Sequence, residues 1–187
     1  MAILLNHQLR EYVPHNFIEF PITYFYDELV AFPDWAGPLH WHPDFEIATA
    51  ECGVLDYQVG SQHIILEAGD SIFVNGNMLH GIKQVSGDLP DSMPNIVFSG
   101  SLIASETSTI YKKYIQPVAQ CDSLPFIVFR HSDHNHRVIN SLIKDTYRQM
   151  NDKQISYACG FNSVNYFSRQ FKKKFGYAPS QSIDLGK

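Results

Sequence analysis

Residues 40–53 read HWHPDFEIATAECG, and this stretch decides how the front of the chain is interpreted. Successive side chains of an extended strand point to opposite faces, so His40 and His42 place two imidazoles on the same face. Glu46 follows four residues after His42, and Gly53 follows seven residues after Glu46. The stretch therefore predicts a strand region that gathers titratable side chains.

The residues around this stretch predict a mainly β domain. Runs rich in β-branched and aromatic residues are separated by glycine and asparagine turns, which is the pattern of a sandwich or small barrel and not of a parallel sheet. The predicted strands are Ile22–Tyr26, Phe45–Ala50, Leu55–Val59, His63–Leu66, Ser71–Asn75, Gly81–Val85, Ile96–Phe98 and Leu124–Phe129.

A second motif lies at residues 69–80, which read GDSIFVNGNMLH and end on His80. The pattern HxHxxxExxxxxxG followed by GxxxxxNxNxxH resembles the two motifs of the cupins. It has Asn75 and Asn77 where cupins favour proline and glycine, and Gln84 at the final asparagine position. The resemblance implies a cupin-like β-barrel, that is, a double-stranded β-helix.

The cupin resemblance also implies two roles for the titratable cluster. In metal-binding cupins the corresponding positions hold the ion, and three imidazoles with one carboxylate suit zinc, manganese, iron or nickel. Alternatively, the same residues line a metal-free pocket for a small-molecule effector. The metal set is His40, His42, Glu46 and His80, and the effector pocket is assigned these four together with Trp41 and Tyr57. A purely structural role is disfavoured, because such side chains are costly to bury without partners.

The end of the chain differs in charge from the rest. Residues 1–150 carry 8 Lys and Arg against 17 Asp and Glu, whereas residues 151–187 carry 6 against 2. A basic segment on an acidic body indicates contact with a polyanion, although a solvated helix face has the same composition.

Residues 156–181, SYACGFNSVNYFSRQFKKKFGYAPSQ, predict two short helices around a glycine turn. Ile155, Ala158 and Phe161 face inward from the first helix and its exit, and Gly160 makes the turn. Asn162 or Ser163 caps the second helix, whose phenylalanines recur every four residues; Gly176 ends it and Pro179 prevents its continuation. This arrangement is typical of helix-turn-helix DNA-binding segments.

The same residues resemble the second helix-turn-helix of the AraC/XylS family of transcription regulators, over about residues 153–182. The resemblance implies that Ser163–Phe175 is the recognition helix. Asn165 and Arg169 suit base edges, and the lysines suit phosphates. The predicted DNA-binding residues are Ser163, Asn165, Ser168, Arg169, Lys172, Lys173 and Lys174. Regulators of this family commonly carry a cupin-type sensor, so the two resemblances agree.

Between the two resemblances, a helix is expected over Glu106–Gln120, ending near Pro117. A second helix, Val138–Met150, is predicted from an apolar stripe and would be capped by Asp133 or Asn135. The stripe consists of Ile139, Leu142, Ile143, Tyr147 and Met150, and it should be buried on the barrel or in a homodimer. The polar residues 151–154 are read as a break after this helix, and His131, His134 and His136 as an exposed linker.

These observations predict three parts: a cupin-like sensor at 1–131, a linker or dimerisation helix at 132–150, and a partial DNA-binding segment at 151–187.

The first helix-turn-helix of the family is not found, so a truncated regulator with weak DNA binding is expected. We expect no catalysis, no membrane contact and a cytoplasmic location, and a sugar is the family-typical effector. The alternative is a small metal-dependent cupin enzyme, a dioxygenase or isomerase, with a vestigial tail. The three scattered cysteines indicate neither a disulfide framework nor a structural zinc site.

Overall fold

The computed structural model describes residues 3–13, 21–86, 91–158 and 163–177. The chain divides into two compact units, Met1–Asn140 and Ser141–Lys187. This division lies inside a helix, and the boundaries expected at residues 131 and 150 stay predictions.

The first unit contains a β-barrel built from two antiparallel sheets. The strands are β1 (Ile22–Glu28), β2 (Ala36–His40), β3 (Phe45–Thr49), β4 (Val54–Val59), β5 (Gln62–Glu67), β6 (Ser71–Val74), β7 (His80–Ser86), β8 (Ser92–Phe98) and β9 (Phe126–Phe129). One sheet has the order β1-β8-β3-β6-β9 and the other β2-β7-β4-β5. Buried and more exposed residues alternate along β4, so that Leu55, Tyr57 and Val59 enter the core. The predicted cupin-like barrel is confirmed.

Strand β2 was missed by the sequence analysis. It contains Gly37 and Pro38, which are depleted in strands, and it follows two short 3₁₀ turns. Strand β8 begins at Ser92, four residues earlier than predicted. The prediction was too short because proline is rarely found inside a strand, and Pro94 lies inside this one. Its pairing with β3 begins only at Asn95, so the missing N–H of Pro94 is not needed on that side.

The helix expected over Glu106–Gln120 is shorter and is not regular. A π-helical turn at Tyr111–Ile115 leads into α1 (Gln116–Ala119). Pro117 lies in the first turn of α1, which does not need the N–H that proline lacks, and α1 ends two residues later at Ala119, near the predicted end.

The helix predicted at Val138–Met150 is part of a longer helix, α2 (Arg137–Ala158). The polar residues 151–154 continue it, so the predicted break is wrong. A polar run without glycine or proline has no residue that strongly opposes a helix, and polarity alone does not end one. Asp133 caps the 3₁₀ turn that precedes α2, where its side chain accepts from the N–H of Asn135 at 2.8 Å.

The apolar stripe of α2 is only partly buried. Ile143 and Tyr147 are each 6% exposed, but Ile139 is 38% exposed and Leu142 is 60% exposed. Val138, outside the predicted stripe, is 70% exposed. Within one chain the stripe is therefore only partly covered, and burial of its exposed residues in a homodimer stays a prediction.

The segment before α2 is bound to the barrel and is not an exposed linker throughout. Both the N–H and Nδ1 of His131 contact Asp70 Oδ1, at 2.8 Å and 2.9 Å. Arg130 Nη1 donates to Asp70 Oδ2 at 2.7 Å, and the Arg130 N–H donates to His136 Nδ1 at 3.0 Å. His131 and His134 are exposed as predicted, and His136 is half-buried. The contacts with Asp70 were not predicted, because Asp70 is 61 residues away from His131.

The second unit contains α3 (Val164–Phe175), which confirms the predicted recognition helix as a helix. The Ser163 side chain caps it by accepting from the N–H of Tyr166 at 3.3 Å. Gly176 ends it with a φ of 86°. The predicted turn at Gly160, together with Phe161, Asn162 and Pro179, lies outside the described residues, as do the side chains of Ile155 and Ala158.

Two further expectations concern the whole chain. Among the described residues, no helix is long and apolar enough to span a membrane. Cys52 and Cys121 carry free thiols, and Cys159 is not among the described residues.

Candidate functional site

Strand pairing assembles the titratable cluster inside the barrel. His40 ends β2 and is paired in register with His80, the first residue of β7. His42 follows β2 by two residues, so its side chain points to the same face as that of His40. Glu46 lies on β3, which belongs to the other sheet of the barrel. The structure thus brings together four residues that are up to 40 positions apart in sequence.

The ligand atoms of the four residues converge closely. One donor atom from each of His40, His42, Glu46 and His80 lies within 4.8 Å of the other three. Glu46 Oε2 is 3.2 Å from Nε2 of His42 and 3.2 Å from Nε2 of His80. The other oxygen, Oε1, accepts a hydrogen bond from the Tyr57 hydroxyl at 2.8 Å. His42, Glu46 and His80 are buried, so bulk water does not screen these contacts.

In all three imidazoles, Nδ1 is the protonated ring nitrogen. Each Nδ1 lies within hydrogen-bond distance of a backbone carbonyl, which can only accept, so each Nδ1 carries a proton. The pairs are His40 with Pro38 at 2.9 Å, His42 with Asp44 at 3.0 Å and His80 with Met78 at 2.8 Å. In the neutral imidazole this leaves the lone pair on Nε2, the atom that points into the cluster. Metal-ligating histidines are commonly oriented by such a bond from their other ring nitrogen.

These residues therefore fit a divalent metal ion. Two ligands bound at about 2.1 Å to one metal are about 3.0–3.4 Å apart, and the Nε2–Oε2 distances of 3.2 Å lie in this range. Three imidazoles and a carboxylate are a donor set for zinc, manganese, iron or nickel. When bound, such an ion would supply Lewis-acid chemistry or a fixed positive charge.

The cluster also shifts the pKa values of its members. Burial lowers the pKa of His40 to about 4, and the neighbouring His80 adds to this shift. For His42, burial acts in the same direction, but the bond to Glu46 outweighs it and the pKa is raised. Burial would raise the pKa of Glu46, yet the imidazoles of His80 and His42 hold it well below its usual range. At neutral pH, Glu46 is a carboxylate and His40 is a neutral base.

An N-terminal loop brings a second carboxylate to this centre. Glu11 Oε2 lies 3.4 Å from His40 Nε2, and both side chains are 12% exposed. Burial raises the pKa of Glu11 above its usual value. Sequence reasoning missed Glu11 because no motif surrounds it and it lies 29 positions before His40.

Trp41 does not line the cavity, contrary to the effector-pocket assignment. Its two neighbours point inward, so its own side chain points the other way and binds the N-terminal loop. Trp41 Nε1 donates to the Gln8 carbonyl at 2.9 Å, and the Arg10 guanidinium lies 5.4 Å from the ring centre. Tyr57, by contrast, lines the cavity next to Glu46.

The cavity beside the cluster is small and mostly apolar. Its free volume is about 50 Å³, and its apolar wall includes Leu29, Phe32, Ile82, Met93 and Val97. Asp27 lies in the wall as well, where its Oδ2 accepts from Asn95 Nδ2 at 2.9 Å and where burial raises its pKa. Neither residue belongs to a sequence motif. Such a volume admits a few water molecules and is too small for a sugar.

The loop of the second motif positions both His80 and His42. Asn77 has a φ of 63°, a conformation that asparagine tolerates better than most residues, so it replaces the glycine of other cupins. Its N–H donates to the His42 carbonyl at 2.7 Å. The side chain of Asn75 donates to the carbonyls of Val118 and Leu124, at 2.8 Å and 3.1 Å. The departures from the cupin motif therefore have structural roles.

Helix α3 separates an aromatic face from a polar one. Phe167 is buried, and the rings of Phe167, Phe171 and Phe175 contact one another in sequence at 5.6 Å and 4.6 Å. Ser163 is taken up by the cap, and Ser168 is half-buried. Apart from Ser163, the predicted DNA-binding residues at exposed positions are Asn165, Arg169, Lys172, Lys173 and Lys174.

Comparisons with known proteins give one match in the barrel part of the chain and one in its C-terminal helical part. Residues 30–90 match the family model "Cupin domain". Residues 153–183 match the model "Bacterial regulatory helix-turn-helix proteins, AraC family". The chain thus contains one segment similar to cupin domains and a second similar to AraC-family helix-turn-helix proteins. The cupin match begins before β2 and includes the whole His–Glu cluster, and the AraC match contains all of α3.

Similar proteins include one curated regulator and several solved structures. The chain is 23% identical over 129 residues to the uncharacterized HTH-type transcriptional regulator YdeC of Bacillus subtilis. This match covers 66% of the chain but only 42% of YdeC. ToxT from Vibrio cholerae aligns over 88% of this chain and 97% of its own, with 12% identity and a TM-score of 0.40. TT1209 from Thermus thermophilus aligns over 44% of this chain and 77% of its own, with 21% identity and a TM-score of 0.38.

Proposed function

We propose that the chain acts as a transcription regulator that binds DNA through α3 and senses a small ligand in its cupin domain. The observation that carries this proposal is the exposed polar face of α3, which lies within the AraC-type match. The similarity to a curated HTH-type regulator supports it. The cupin part acts as a sensor and not as an enzyme.

In this proposal, Asn165 and Arg169 contact base edges, and Lys172, Lys173 and Lys174 contact phosphates. Each good bidentate base contact contributes about 1–3 kcal/mol of discrimination. One recognition helix provides few such contacts, so we expect dissociation constants in the non-specific range of about 10⁻⁴–10⁻⁶ M. Two chains acting together would increase this affinity.

The volume of the cavity limits the size of the effector. A volume of about 50 Å³ is well below the 300–1,000 Å³ typical of ligand pockets. We therefore propose that the cavity as it stands holds a metal ion with a ligand of a few non-hydrogen atoms. A larger effector, such as a sugar, requires the cavity to open.

Binding to labelled duplex DNA over a range of salt concentrations tests the DNA-binding role. Arg169→Ala should weaken binding to preferred sequences, whereas Lys173→Ala should weaken all sequences alike and reduce the salt slope by about one. Lys83→Ala removes a cation from the exposed face of β7 and is the matched control. If Lys83→Ala and Lys173→Ala have equal effects, α3 is not the DNA-binding element.

A metal-dependent cupin enzyme is the second candidate. The convergence of His40, His42, Glu46 and His80 favours it, because this donor set would also serve catalysis. Elemental analysis of the purified protein, followed by a search for turnover with small acids and sugars, separates the two candidates. A bound metal with turnover that His80→Ala abolishes would favour the enzyme. A bound metal without turnover, together with DNA binding, would favour the regulator.

A further inference from the structure

We propose that Glu11 is a fifth donor to the metal centre, supplied by the N-terminal loop, so that metal binding and docking of this loop stabilise each other. The proposal rests on the metal-binding part of the proposed function and assigns a role to a residue outside both cupin motifs. The loop consists of residues 4–12, and it carries Glu11 to the edge of the cluster.

The contact between Glu11 and His40 is unfavourable without a cation. His40 Nδ1 carries the proton that bonds to the Pro38 carbonyl, so Nε2 of the neutral ring presents a lone pair. Glu11 Oε2 faces this lone pair at 3.4 Å, and both side chains are nearly removed from water. Two lone pairs at this distance repel each other unless a proton or metal ion lies between them.

The distance itself suits two ligands of one metal. Adjacent ligands at about 2.1 Å from an ion are about 3.0–3.4 Å apart, which includes the Glu11–His40 separation of 3.4 Å. Glu11 and Glu46 line the same cavity. With both carboxylates ionised and the imidazoles neutral, as metal binding requires, the centre carries two negative charges, which a divalent cation neutralises.

The loop is held by the residue between the two histidines of the first motif. The N–H of Trp41 donates to the Leu9 carbonyl at 3.0 Å, and the N–H of Glu11 donates to the Trp41 carbonyl at 2.9 Å. Inside the loop, Asn6 Oδ1 accepts from the N–H groups of Gln8 and Arg10 at 2.9 Å and 3.0 Å. The backbone that carries Glu11 is therefore fixed to the backbone that carries His40 and His42.

Two measurements on the full chain test this proposal. The affinity for Zn²⁺ and Ni²⁺, determined by calorimetry on the metal-free protein, should fall at least about 10–100-fold in Glu11→Gln, the range for losing a partner of a metal ligand. Limited trypsin digestion after Arg10 should slow when metal is added to the wild type, and metal should give no protection in Glu11→Gln.

Glu28→Gln is the matched control, because it neutralises an exposed glutamate on β1 and should leave both measurements unchanged. Thermal unfolding of the metal-free variants checks that each one folds. Equal metal affinity in the wild type and Glu11→Gln would overturn the role of Glu11 and leave the four-residue centre intact. Failure of the wild type to bind either metal would overturn both the centre and the role of Glu11, without affecting DNA binding by α3.

Discussion

Asp70→Asn should destabilise the barrel by about 3 kcal/mol, because Asp70 is 1% exposed and its two oxygens accept from four donors. Oδ2 accepts from the Glu67 N–H at 3.1 Å and from Arg130 Nη1 at 2.7 Å. Oδ1 accepts from the N–H and Nδ1 of His131. An asparagine turns one of these acceptors into a donor. Whichever way the amide lies, two donors lose their acceptor, at about 1.5–3 kcal/mol for each bond to a charged group, and hydration of the exposed Arg130 recovers part of this loss.

For a chain of this size the change corresponds to a fall in Tm of about 6–12 °C. Urea unfolding followed by the fluorescence of Trp35 and Trp41 gives the free energy of unfolding of the first unit. Asp56→Asn is the control, since its ion pair with His63 is exposed and should contribute less than about 1 kcal/mol. A loss in Asp70→Asn no larger than in Asp56→Asn would refute the reasoning.

The loss of stability in Asp70→Asn should depend on pH. Burial opposes ionisation of Asp70, but the hydrogen bonds from His131 and Arg130 outweigh it and lower its pKa. The folded pKa is thus below the unfolded value of about 3.9, so the stabilisation is present above pH 4 and is lost as the pH falls through the folded pKa. The difference between wild type and Asp70→Asn should narrow below about pH 4.

Two further substitutions test the site and the assembly. A Cβ at Gly76 would overlap the Pro43 carbonyl oxygen, so Gly76→Ala should cost about 1–3 kcal/mol and weaken Zn²⁺ binding in calorimetry. Gly60→Ala meets no neighbour, and its φ of 58° should cost only about 1 kcal/mol with metal binding unchanged. Leu142→Glu should convert a homodimer to monomers in sedimentation, because Leu142 is 60% exposed on an apolar part of α2. Lys144→Glu, on the opposite side of the helix, should leave the dimer intact, and a monomeric wild type would contradict this assembly.

The barrel and its central cluster could be predicted because both follow from short-range rules. The alternation of side chains along a strand placed His40 and His42 on one face, and the motif spacing identified His80. The predicted recognition helix was also accurate, because Ser163 and Gly176 are strong end signals.

The remaining features depend on contacts between distant parts of the chain. Glu11 reaches the cluster through backbone bonds to Trp41, and backbone bonds leave no pattern in side-chain types. For the same reason, Trp41 was placed in the cavity although it faces the loop. The continuity of α2 was missed because polar residues were taken as a break, whereas a helix ends where its backbone geometry changes.

Because of the contact between His42 and Glu46, protons and metal ions compete for Nε2 of His42. The raised pKa of His42 means that its Nε2 holds a proton more firmly than a free imidazole does. A metal ion that uses this nitrogen must displace the proton, so loading releases acid and becomes weaker as the surroundings acidify.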